Sequence, residues 1–450
     1  MTSIEYLNES QRIAVDEVID QFTVDHNKLD EIVSHFIKEM RKGLNAPVKS
    51  IPNGTETGTY LALDLGGTNL RVCQITFLRS GKLTIKQEKY EISDSLKTGH
   101  SSKLFDFIAD CIRQFLIDLG GVYDSPLSLG FTFSFPVDQM AIHKGVLVRW
   151  TKGFTAAGAV GQDMVGMLRE ALKRKNVPVK IVAIVNDTTG TLLAHAYENP
   201  ATIIGVIFGT GTNAAYVERL ENIPKLDLNC SGKMVIDIEW GAFDNERQVL
   251  SLTPYDEKLD RISLNPGEQM FEKLISGDYL GKIVHNVLLD LVGRNLLFSG
   301  RSSSGFDNIG AFKTPYMSII EADGTDDLVY TKQLLEVELK IPETTLTDRQ
   351  IVQRICCAIG LRAARLSSCA LCALIKHIGV EEKGCAVGID GSLFEFHPGF
   401  KHNLKQTMRE ILGKTADNIS LEQARDGSGV GAALAALYAE KDLKDCSSQL

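Results

Sequence analysis

Residues 60–77 read YLALDLGGTNLRVCQITF, and this stretch decides how the rest of the chain is organised. Leucine alternates with other residues from Leu61 to Leu65, and a strand-like run resumes from Val72 to Phe77. Such a pattern predicts a strand on each side of a turn. Gly66 and Gly67 permit a tight turn whose backbone amides can come close to a ligand. The stretch therefore predicts a β-hairpin with a bare glycine turn.

Polar side chains surround this turn. Asp64 stands just before the glycines, and Thr68, Asn69 and Arg71 follow them. A carboxylate, a hydroxyl and a cation around bare amides suit a metal-bound polyphosphate. An ordinary Gly-Gly hairpin without a ligand is the alternative that this stretch leaves open.

The same pattern returns later in the chain. Residues 203–218 read IIGVIFGTGTNAAYVE, which again predicts a strand, a glycine turn and a second strand. A third glycine turn, at residues 388–393, follows a short apolar run, and a fourth, at residues 426–431, opens an alanine-rich helix predicted over 430–440. The first two hairpins form a candidate internal repeat.

No G-x-x-x-x-G-K-[ST] motif occurs in the sequence, so a P-loop enzyme is not predicted. Several separated glycine hairpins instead suggest a nucleotide held between two lobes. This arrangement resembles the actin, sugar-kinase and heat-shock chaperone ATPase class. The resemblance implies an α/β fold with two lobes, in which mixed sheets flanked by helices enclose a central cleft. It implies no function by itself.

Bulk properties set limits on the protein. A chain of 450 residues is too long for one compact core, so two or three domains are expected. The composition of 44% hydrophobic and 23% charged residues is typical of a soluble globular protein. The net charge of −9 argues against general nucleic-acid binding, because that function needs concentrated basic charge.

The nine cysteines favour a reducing compartment, because most of them lie in apolar runs that indicate buried free thiols. Cys369 and Cys372 have a C-x-x-C spacing, which can indicate zinc or redox chemistry. They lie in a long apolar helical pattern, so helix core is the favoured interpretation. The start of the chain is polar, and no uninterrupted apolar run is long enough to cross a membrane. We therefore expect a cytoplasmic protein without membrane insertion.

The remaining pattern predicts further elements. The first forty residues are expected to be helical up to Gly43, and residues 44–58 to form a connection. Residues 296–312 are expected to form a flexible excursion. Helices are predicted over 102–119, 161–174 and 347–378, and strands over 83–92, 127–136 and 179–186.

Five motifs narrow the resemblance from this class of ATPases to a single family. They read LGFTFSFP, WTKGF, NDTTG, EWGAFDN and NPGEQMFEK, at residues 129–136, 150–154, 186–190, 239–245 and 265–273. In sequence, order and spacing they resemble the hexokinase family, from about residue 20 to 440. The length resembles the single-unit hexokinases and glucokinases of fungi. Residues 44–53, Gly281-Lys282 and residues 298–312 depart from the family pattern.

This resemblance implies a set of sugar-binding residues. A hexose presents hydroxyls that both donate and accept, so its site needs carboxylates, amides and hydroxyls that are held rigidly. Each residue taken alone could equally be a cap, a turn or a surface residue. By resemblance the substrate-binding set is Ser134, Phe135, Thr151, Lys152, Asn186, Asp187, Asn213, Glu239 and Glu272.

Two of these residues have an implied catalytic role. Asp187 follows a buried strand, where a carboxylate is costly unless it has a task or a partner. By resemblance it is the base that accepts the proton of the sugar 6-hydroxyl. The alternative is that Asp187 caps the following helix. Lys152 would contact the sugar and offset charge at the transferring phosphoryl group.

The resemblance also implies a nucleotide side, with ATP and Mg²⁺ as cofactors. Mg²⁺ retains several waters and binds mainly through ATP oxygens, so no dedicated protein cage is expected. The implied cofactor-binding residues are Asp64, Gly66, Gly67, Thr68, Asn69, Arg71, Gly209, Thr210, Gly211, Gly277, Asp278, Thr314, Ser318, Asp390, Gly391 and Ser392.

The resulting hypothesis is a hexokinase that transfers phosphate from ATP to the 6-hydroxyl of glucose, fructose and mannose, the first step of glycolysis. Its partners would be a hexose and ATP, in a monomer or homodimer. The small domain is predicted as residues 58–186 plus 428–450, and the large domain as 1–57 plus 187–427. A glucose-restricted glucokinase, an amino-sugar kinase and a regulatory sugar sensor on the same fold are the alternatives.

Overall fold

A computed structural model describes residues 9–40, 51–120, 126–151, 153–223 and 232–447. The predicted helix end at Gly43 and the catalytic candidate Lys152 lie outside these residues. Twelve strands are present in the described ranges, namely β1 Thr57–Leu65, β2 Asn69–Leu78, β3 Leu83–Glu91, β4 Leu127–Phe133, β5 Val137–Ala141, β6 Lys144–Leu147, β7 Val179–Val185, β8 Thr202–Phe208, β9 Thr212–Arg219, β10 Lys233–Asp237, β11 Cys385–Asp390 and β12 Ile419–Gln423.

Fifteen α-helices surround these strands in the same ranges, with short 3₁₀ turns and one π-helical turn between some of them. They are α1 Glu9–Asp20, α2 His26–Met40, α3 Asp94–Thr98, α4 Ser101–Asp118, α5 Met164–Arg174, α6 Asp187–Glu198, α7 Pro254–Ile262, α8 Met270–Ile275, α9 Leu280–Gly293, α10 Thr314–Ala322, α11 Val329–Gln333, α12 Leu346–Ile378, α13 Ser392–Phe396, α14 Phe400–Leu412 and α15 Gly427–Ser447.

Two five-stranded sheets share one topology. The first has the strand order β3-β2-β1-β4-β7, and the second has the order β10-β9-β8-β11-β12. In both sheets the first three strands of the chain pair antiparallel, and the last two run parallel to the first. The internal repeat that two glycine hairpins suggested is therefore visible in the complete topology of both sheets.

Helices α6 and α15 pack between the two sheets. Both helices contribute to a core cluster that also contains residues of β1, β2, β7, β9 and β10. The helices cross where Gly190 meets Gly431, and a Cβ on Gly431 would lie 2.1 Å from the Gly190 carbonyl oxygen. Only glycine allows this approach, so the glycines at the start of α15 serve close helix packing.

Helix α12 forms the centre of the larger core. Cys369 and Cys372 are fully buried in it, which confirms helix core over a metal or redox pair for this C-x-x-C spacing. By length and composition α12 alone among the described helices could span a membrane, but 83% of its most apolar window is buried within the protein. Burial of this kind is typical of a core helix in a folded domain.

The predicted mixed α/β fold and most of the predicted elements are confirmed, although β4 ends at Phe133 rather than 136, α5 begins at Met164 rather than 161, and three further differences occur. The N-terminal helical region is two helices, α1 and α2, because the chain turns between Gln21 and Asp25. Helix α15 begins at Gly427 rather than at residue 430. The prediction of a flexible excursion over 296–312 is wrong, because Phe298, Phe306 and Phe312 are buried in the larger core.

Candidate active site

A cleft of about 1090 Å³ lies between the two sheets. It is bounded by residues that follow parallel strands of both, as expected for ligand sites in α/β sheets. Ser134 follows β4, Asn186 and Asp187 follow β7, and Thr210 follows β8. Predicted site residues that line the cleft are Gly67, Thr68, Ser134, Phe135, Thr151, Asn186, Asp187, Thr210, Gly211, Asn213, Glu239, Glu272 and Asp278.

The first helical residue of α6 is Asp187, and the cap of this helix is Asn186. The Asn186 side-chain oxygen accepts from the Thr188 backbone N–H at 2.8 Å. Asp187 is therefore not needed as the cap, and it lies at the positive end of the helix dipole, which favours a carboxylate. The Thr188 hydroxyl donates to Asp187 Oδ1 at 3.2 Å. This geometry presents a carboxylate to the cleft.

Two amides converge on the Glu239 carboxylate. Asn213 Nδ2 donates to Glu239 Oε1 at 3.1 Å, and Asn186 Nδ2 lies 3.5 Å from the same oxygen. Asn213 Nδ2 also donates to Asp237 Oδ1 at 2.7 Å. Burial first, and then the negative charges of Glu239 and Asp187, raise the pKa of Asp237 well above its usual range. Asp237 was not among the predicted site residues.

The Glu272 side chain supports the second glycine turn. Glu272 Oε2 accepts from the Thr212 backbone N–H at 3.0 Å. The Trp240 indole donates to the Thr212 hydroxyl at 3.0 Å. A Cβ on Gly211 would lie only 2.9 Å from Glu272 Oε2, so the turn and this carboxylate fit closely. The sugar-side candidates thus form two neighbouring hydrogen-bonded groups, one around the Glu239 carboxylate and one around the Glu272 carboxylate.

Aromatic rings support the opposite wall. Phe135 packs edge-on against Trp150, with ring centroids 5.0 Å apart, and against Phe154 at 5.1 Å. The Trp150 indole donates to the Ala156 carbonyl at 2.9 Å. These contacts fix the strand end that carries Ser134 and the loop that carries Thr151.

Around the first glycine turn the structure forms a charged cluster. Arg71 Nη2 lies 3.0 Å from Asp64 Oδ2 and 2.6 Å from the Ser428 hydroxyl, and Arg71 Nη1 contacts Asp426. Burial alone would lower the pKa of Arg71, but Asp64 and Asp426 outweigh it and raise this pKa. The guanidinium thus ties the hairpin to the start of α15, while Gly67 and Thr68 face the cleft.

Three glycines from distant segments meet at the second glycine turn, between β8 and β9. The Gly277 N–H donates to the Gly209 carbonyl at 2.8 Å, and the Asp278 N–H donates to the Thr210 carbonyl at 3.0 Å. A Cβ on Gly391 would lie 2.7 Å from the Gly209 nitrogen. Close backbone packing of this kind leaves turn amides and hydroxyls available to phosphate oxygens.

The remaining nucleotide-side candidates lie away from the cleft wall. Thr314 accepts from the Gly281 N–H at 2.8 Å and begins α10, which also carries Ser318. Burial raises the pKa of Asp390, with Asp187 adding to the effect. Predicted positions outside the wall are Asp64, Gly66, Asn69, Arg71, Gly209, Gly277, Thr314, Ser318, Asp390, Gly391 and Ser392.

The donor set of the described residues fits Mg²⁺ bound to a polyphosphate. Asp187 follows β7 in the cleft wall, and Asp390 ends β11 outside that wall. The charge of Asp187 still contributes to the raised pKa of Asp390. Carboxylate oxygens of this kind suit a hydrated hard cation, and turn amides suit its phosphates.

The cleft contains residues that sequence reasoning did not single out. Lys97 lines it from α3, and Arg149 and Glu268 approach it from opposite walls. Arg149 Nη1 lies 2.9 Å from Glu268 Oε2, which links the two walls by an ion pair. Arg149 directly precedes the WTKGF motif and Glu268 lies within NPGEQMFEK, so the motifs themselves carried a signal. No comparable signal marked Lys97.

Known proteins resemble this chain in both sequence and fold. Family models described as hexokinase match residues 14–197 and 203–438. A hexokinase of Emericella nidulans is 44% identical over 443 residues, covering 94% of this chain and 90% of that protein. Hexokinase-1 of Schizosaccharomyces pombe is 42% identical, covering 95% and 91%. A Schistosoma mansoni hexokinase structure complexed with glucose superposes with a TM-score of 0.88 at 34% identity, covering 96% and 99%.

Proposed function

The chain belongs to the hexokinase family, and from this premise we propose that it phosphorylates the 6-hydroxyl of glucose, fructose and mannose with ATP and that Asp187 is its catalytic base. The observation that carries the proposal is the position of the Asp187 carboxylate, at the start of α6 and in the cleft between two glycine turns. A hexose bound at the amides and carboxylates of the cleft would present a hydroxyl to this base.

Asp187 would accept the proton of the sugar 6-hydroxyl while the oxygen of that hydroxyl attacks the γ-phosphorus of ATP. The new O–P bond forms while the bond between the γ-phosphorus and the β,γ-bridging oxygen breaks, and ADP leaves. A base placed by a helix start needs little reorganisation during the reaction. The motif position of Lys152 makes it a second catalytic candidate, which would offset charge on the transferring group.

The sugar would be held mainly by amides and carboxylates of the cleft. Asn186 and Asn213 are bonded to the Glu239 carboxylate, and Glu272 is bonded to the neighbouring Thr212 N–H. Ser134, Phe135 and Thr151 would complete the site from the opposite wall. Fixed donors and acceptors discriminate strongly against a ligand that leaves them unpaired.

The two glycine turns would bind the phosphates of ATP through backbone amides and the hydroxyls of Thr68 and Thr210. When bound, Mg²⁺ neutralises charge on the phosphate oxygens. Its ligands would be ATP oxygens and water, and the Asp187 carboxylate, which lines the cleft, would accept from that water. Thr314, Ser318 and the Asp390–Ser392 turn would lie on the adenosine side.

We further propose a small domain of residues 58–186 plus 428–450 and a large domain of 1–57 plus 187–427. Sugar binding would draw them together and exclude water, which otherwise competes as phosphoryl acceptor. A cytoplasmic location, a place at the start of glycolysis and a monomeric or homodimeric state belong to the same proposal.

A coupled assay with glucose, Mg²⁺ and ATP tests this function. The expected product is glucose 6-phosphate, and a panel of glucose, fructose, mannose and glucosamine measures specificity. Folded protein that binds glucose without forming product would support a sensor instead. Activity on glucose alone, or preferentially on glucosamine, would replace the broad hexose specificity by one of the narrower ones.

Asp187→Ala tests the base directly. We expect kcat to fall about 10³-fold or more, because the attacking hydroxyl loses its proton acceptor, while glucose is still bound. Asp163→Ala is the matched control, because Asp163 also stands at a helix start but lies outside the cleft lining, where it caps α5 and accepts from the Gly145 N–H. A near-normal kcat for Asp187→Ala, measured beside this control, would remove Asp187 from its role.

A further inference from the structure

We propose that Asp237 is a positioning residue of the hexose site, which orients the Asn213 amide and through it the Glu239 carboxylate. Asp237 lies outside the set of residues that would touch the sugar, so its effect passes through these two neighbours. The inference rests on the proposed function, because it assigns Asn213 and Glu239 to hexose binding.

The orientation of the Asn213 amide is fixed from both of its ends. Its nitrogen donates to Asp237 Oδ1 at 2.7 Å and to Glu239 Oε1 at 3.1 Å, while its oxygen accepts from the Ala214 N–H at 2.7 Å. A flipped amide would place its oxygen against two carboxylates and its nitrogen against a donor. Asp237 supplies the shorter of the two acceptor contacts, so it contributes most to excluding this flip.

The local backbone brings both carboxylates to the same amide. Asp237 is the last residue of β10 and stands opposite Ala215 on β9. The Ile238 N–H still donates to the Ala214 carbonyl at 2.9 Å, which keeps the strand end in register. Glu239 then takes the left-handed conformation, with φ of 53°. This turn directs its side chain back towards Asn213.

Two negatively charged groups lie near Asp237 and affect the pKa of its carboxyl group. Desolvation of this half-buried side chain raises its pKa, and the charges of Glu239, on the same segment, and Asp187, at the start of α6, add to the effect. A raised pKa means that the surroundings favour the neutral form of this side chain over the charged one. Its carbonyl oxygen remains an acceptor for Asn213, so a neutral isostere should serve as well.

The consequence is a selective effect on hexose binding. Without an acceptor at position 237, the Asn213 amide loses its shortest contact and can rotate, and Glu239 loses a fixed partner. The ATP side, which lies at the glycine turns, does not depend on this contact. Truncation of Asp237 should therefore change KM for glucose much more than KM for ATP.

The test compares Asp237→Ala, Asp237→Asn and Glu218→Ala with wild type in the coupled assay. Glu218 is the matched control because it is a carboxylate on β9 that also binds an asparagine, accepting from Asn222 Nδ2 at 2.8 Å. It lies five residues along that strand from Asn213.

We expect Asp237→Ala to raise KM for glucose about tenfold or more, with KM for ATP within about twofold of wild type. Asp237→Asn should restore KM for glucose to within about threefold, and Glu218→Ala should leave both constants unchanged. An unchanged KM for glucose in Asp237→Ala would overturn the proposal, as would an Asn variant impaired like the Ala variant.

Two features keep the test decisive. If Asp237→Ala does not fold, Asp237→Asn alone decides, since a folded Asn variant whose KM for glucose rises tenfold or more contradicts the role of a neutral acceptor. If wild type binds glucose but transfers no phosphate, the proposed function fails separately. The same variants are then compared by glucose dissociation constants, using fluorescence of Trp150 and Trp240, which flank the cleft.

Discussion

The two glycine turns of the molecule are equivalent in topology but supported differently. The first, between β1 and β2, is fastened by charge, because Arg71 contacts both Asp64 and Asp426. The second, between β8 and β9, is fastened by a carboxylate and an indole, because Glu272 accepts from the Thr212 N–H and Trp240 donates to the Thr212 hydroxyl.

This difference separates the two proposed tasks of the cleft. The charged cluster ties the first turn to α15, which packs between the sheets, and leaves its glycine and threonine to face the cleft. The second turn is tied to the segments that carry Glu239 and Glu272, the proposed sugar ligands. A duplicated topology thus supplies two phosphate-binding turns, and the packing partners of each turn decide what else it does.

Arg71→Ala should break the first support. The variant leaves Asp64 and Asp426, each less than one-fifth exposed, as neighbouring carboxylates without their cation. We expect the free energy of unfolding to fall by about 3 kcal/mol, because a buried charge without its partner is costly. Urea denaturation followed by circular dichroism measures the change.

The control for this variant is Arg409→Ala. Arg409 pairs with Asp417 at 2.8 Å, but both side chains are more than half exposed. Such surface pairs contribute roughly 0–1 kcal/mol. Equal losses of stability for the two arginine variants would mean that the cluster is not a buried support, and the contrast between the turns would fail.

A second contrast concerns titration in the larger core, where a buried pair is held neutral rather than charged. His397 Nε2 lies 3.4 Å from Glu321 Oε1, and both side chains are less than one-tenth exposed. Burial raises the pKa of Glu321 to about 8 and lowers the pKa of His397 to about 4. Near pH 7 the pair is therefore a carboxylic acid beside a neutral imidazole.

Because of this pair, the free energy of unfolding should fall as pH rises from about 6.5 to about 8. Because the folded pKa of Glu321 exceeds the unfolded value of 4.5, its contribution is present below pH 4.5 and is lost as pH rises to about 8. The depressed pKa of His397 has the opposite slope from pH 6.5 down to about 4. Between pH 6.5 and pH 8 only Glu321 therefore changes the free energy of unfolding. Loss of its contribution lowers that free energy by roughly 2 kcal/mol over this range.

Glu321→Gln should remove this slope, because the amide cannot ionise. The difference in unfolding free energy between variant and wild type should grow by about 2 kcal/mol from pH 6.5 to pH 8 in urea titrations. Glu395→Gln, at an exposed position of α13, should retain the wild-type slope. A constant difference across this range would show that Glu321 is ionised throughout and that the pair is not neutral.

Local patterns were sufficient to predict the elements that carry these contrasts. The alternation around Gly66 and Gly67 predicted β1 and β2, and the apolar period of residues 347–378 predicted α12. In these elements the pattern reflects the same burial that the fold provides. The prediction for residues 296–312 was wrong because the buried phenylalanines of this segment follow no regular period.

Long-range contacts could not be predicted in the same way. The hydrogen bond between Asn213 and Asp237 joins residues on neighbouring strands, and the Arg149–Glu268 ion pair joins the two walls of the cleft. Nothing in the local sequence states which carboxylate will meet which donor after the chain folds. The motif resemblance supplied most of the candidate site, whereas the supports of that site required the structure.

Gly211→Ala should weaken the second support with the smallest of these effects. The new Cβ would lie 2.9 Å from Glu272 Oε2 and would displace the carboxylate that accepts from the Thr212 N–H. We expect KM for glucose to rise about tenfold, equivalent to about 1.4 kcal/mol, and KM for ATP to change less. Gly293→Ala is the control, because a Cβ there meets no atom within 4 Å. A larger effect on ATP than on glucose would assign the second turn to the nucleotide alone, and its contrast with the first turn would then lie only in how it is held.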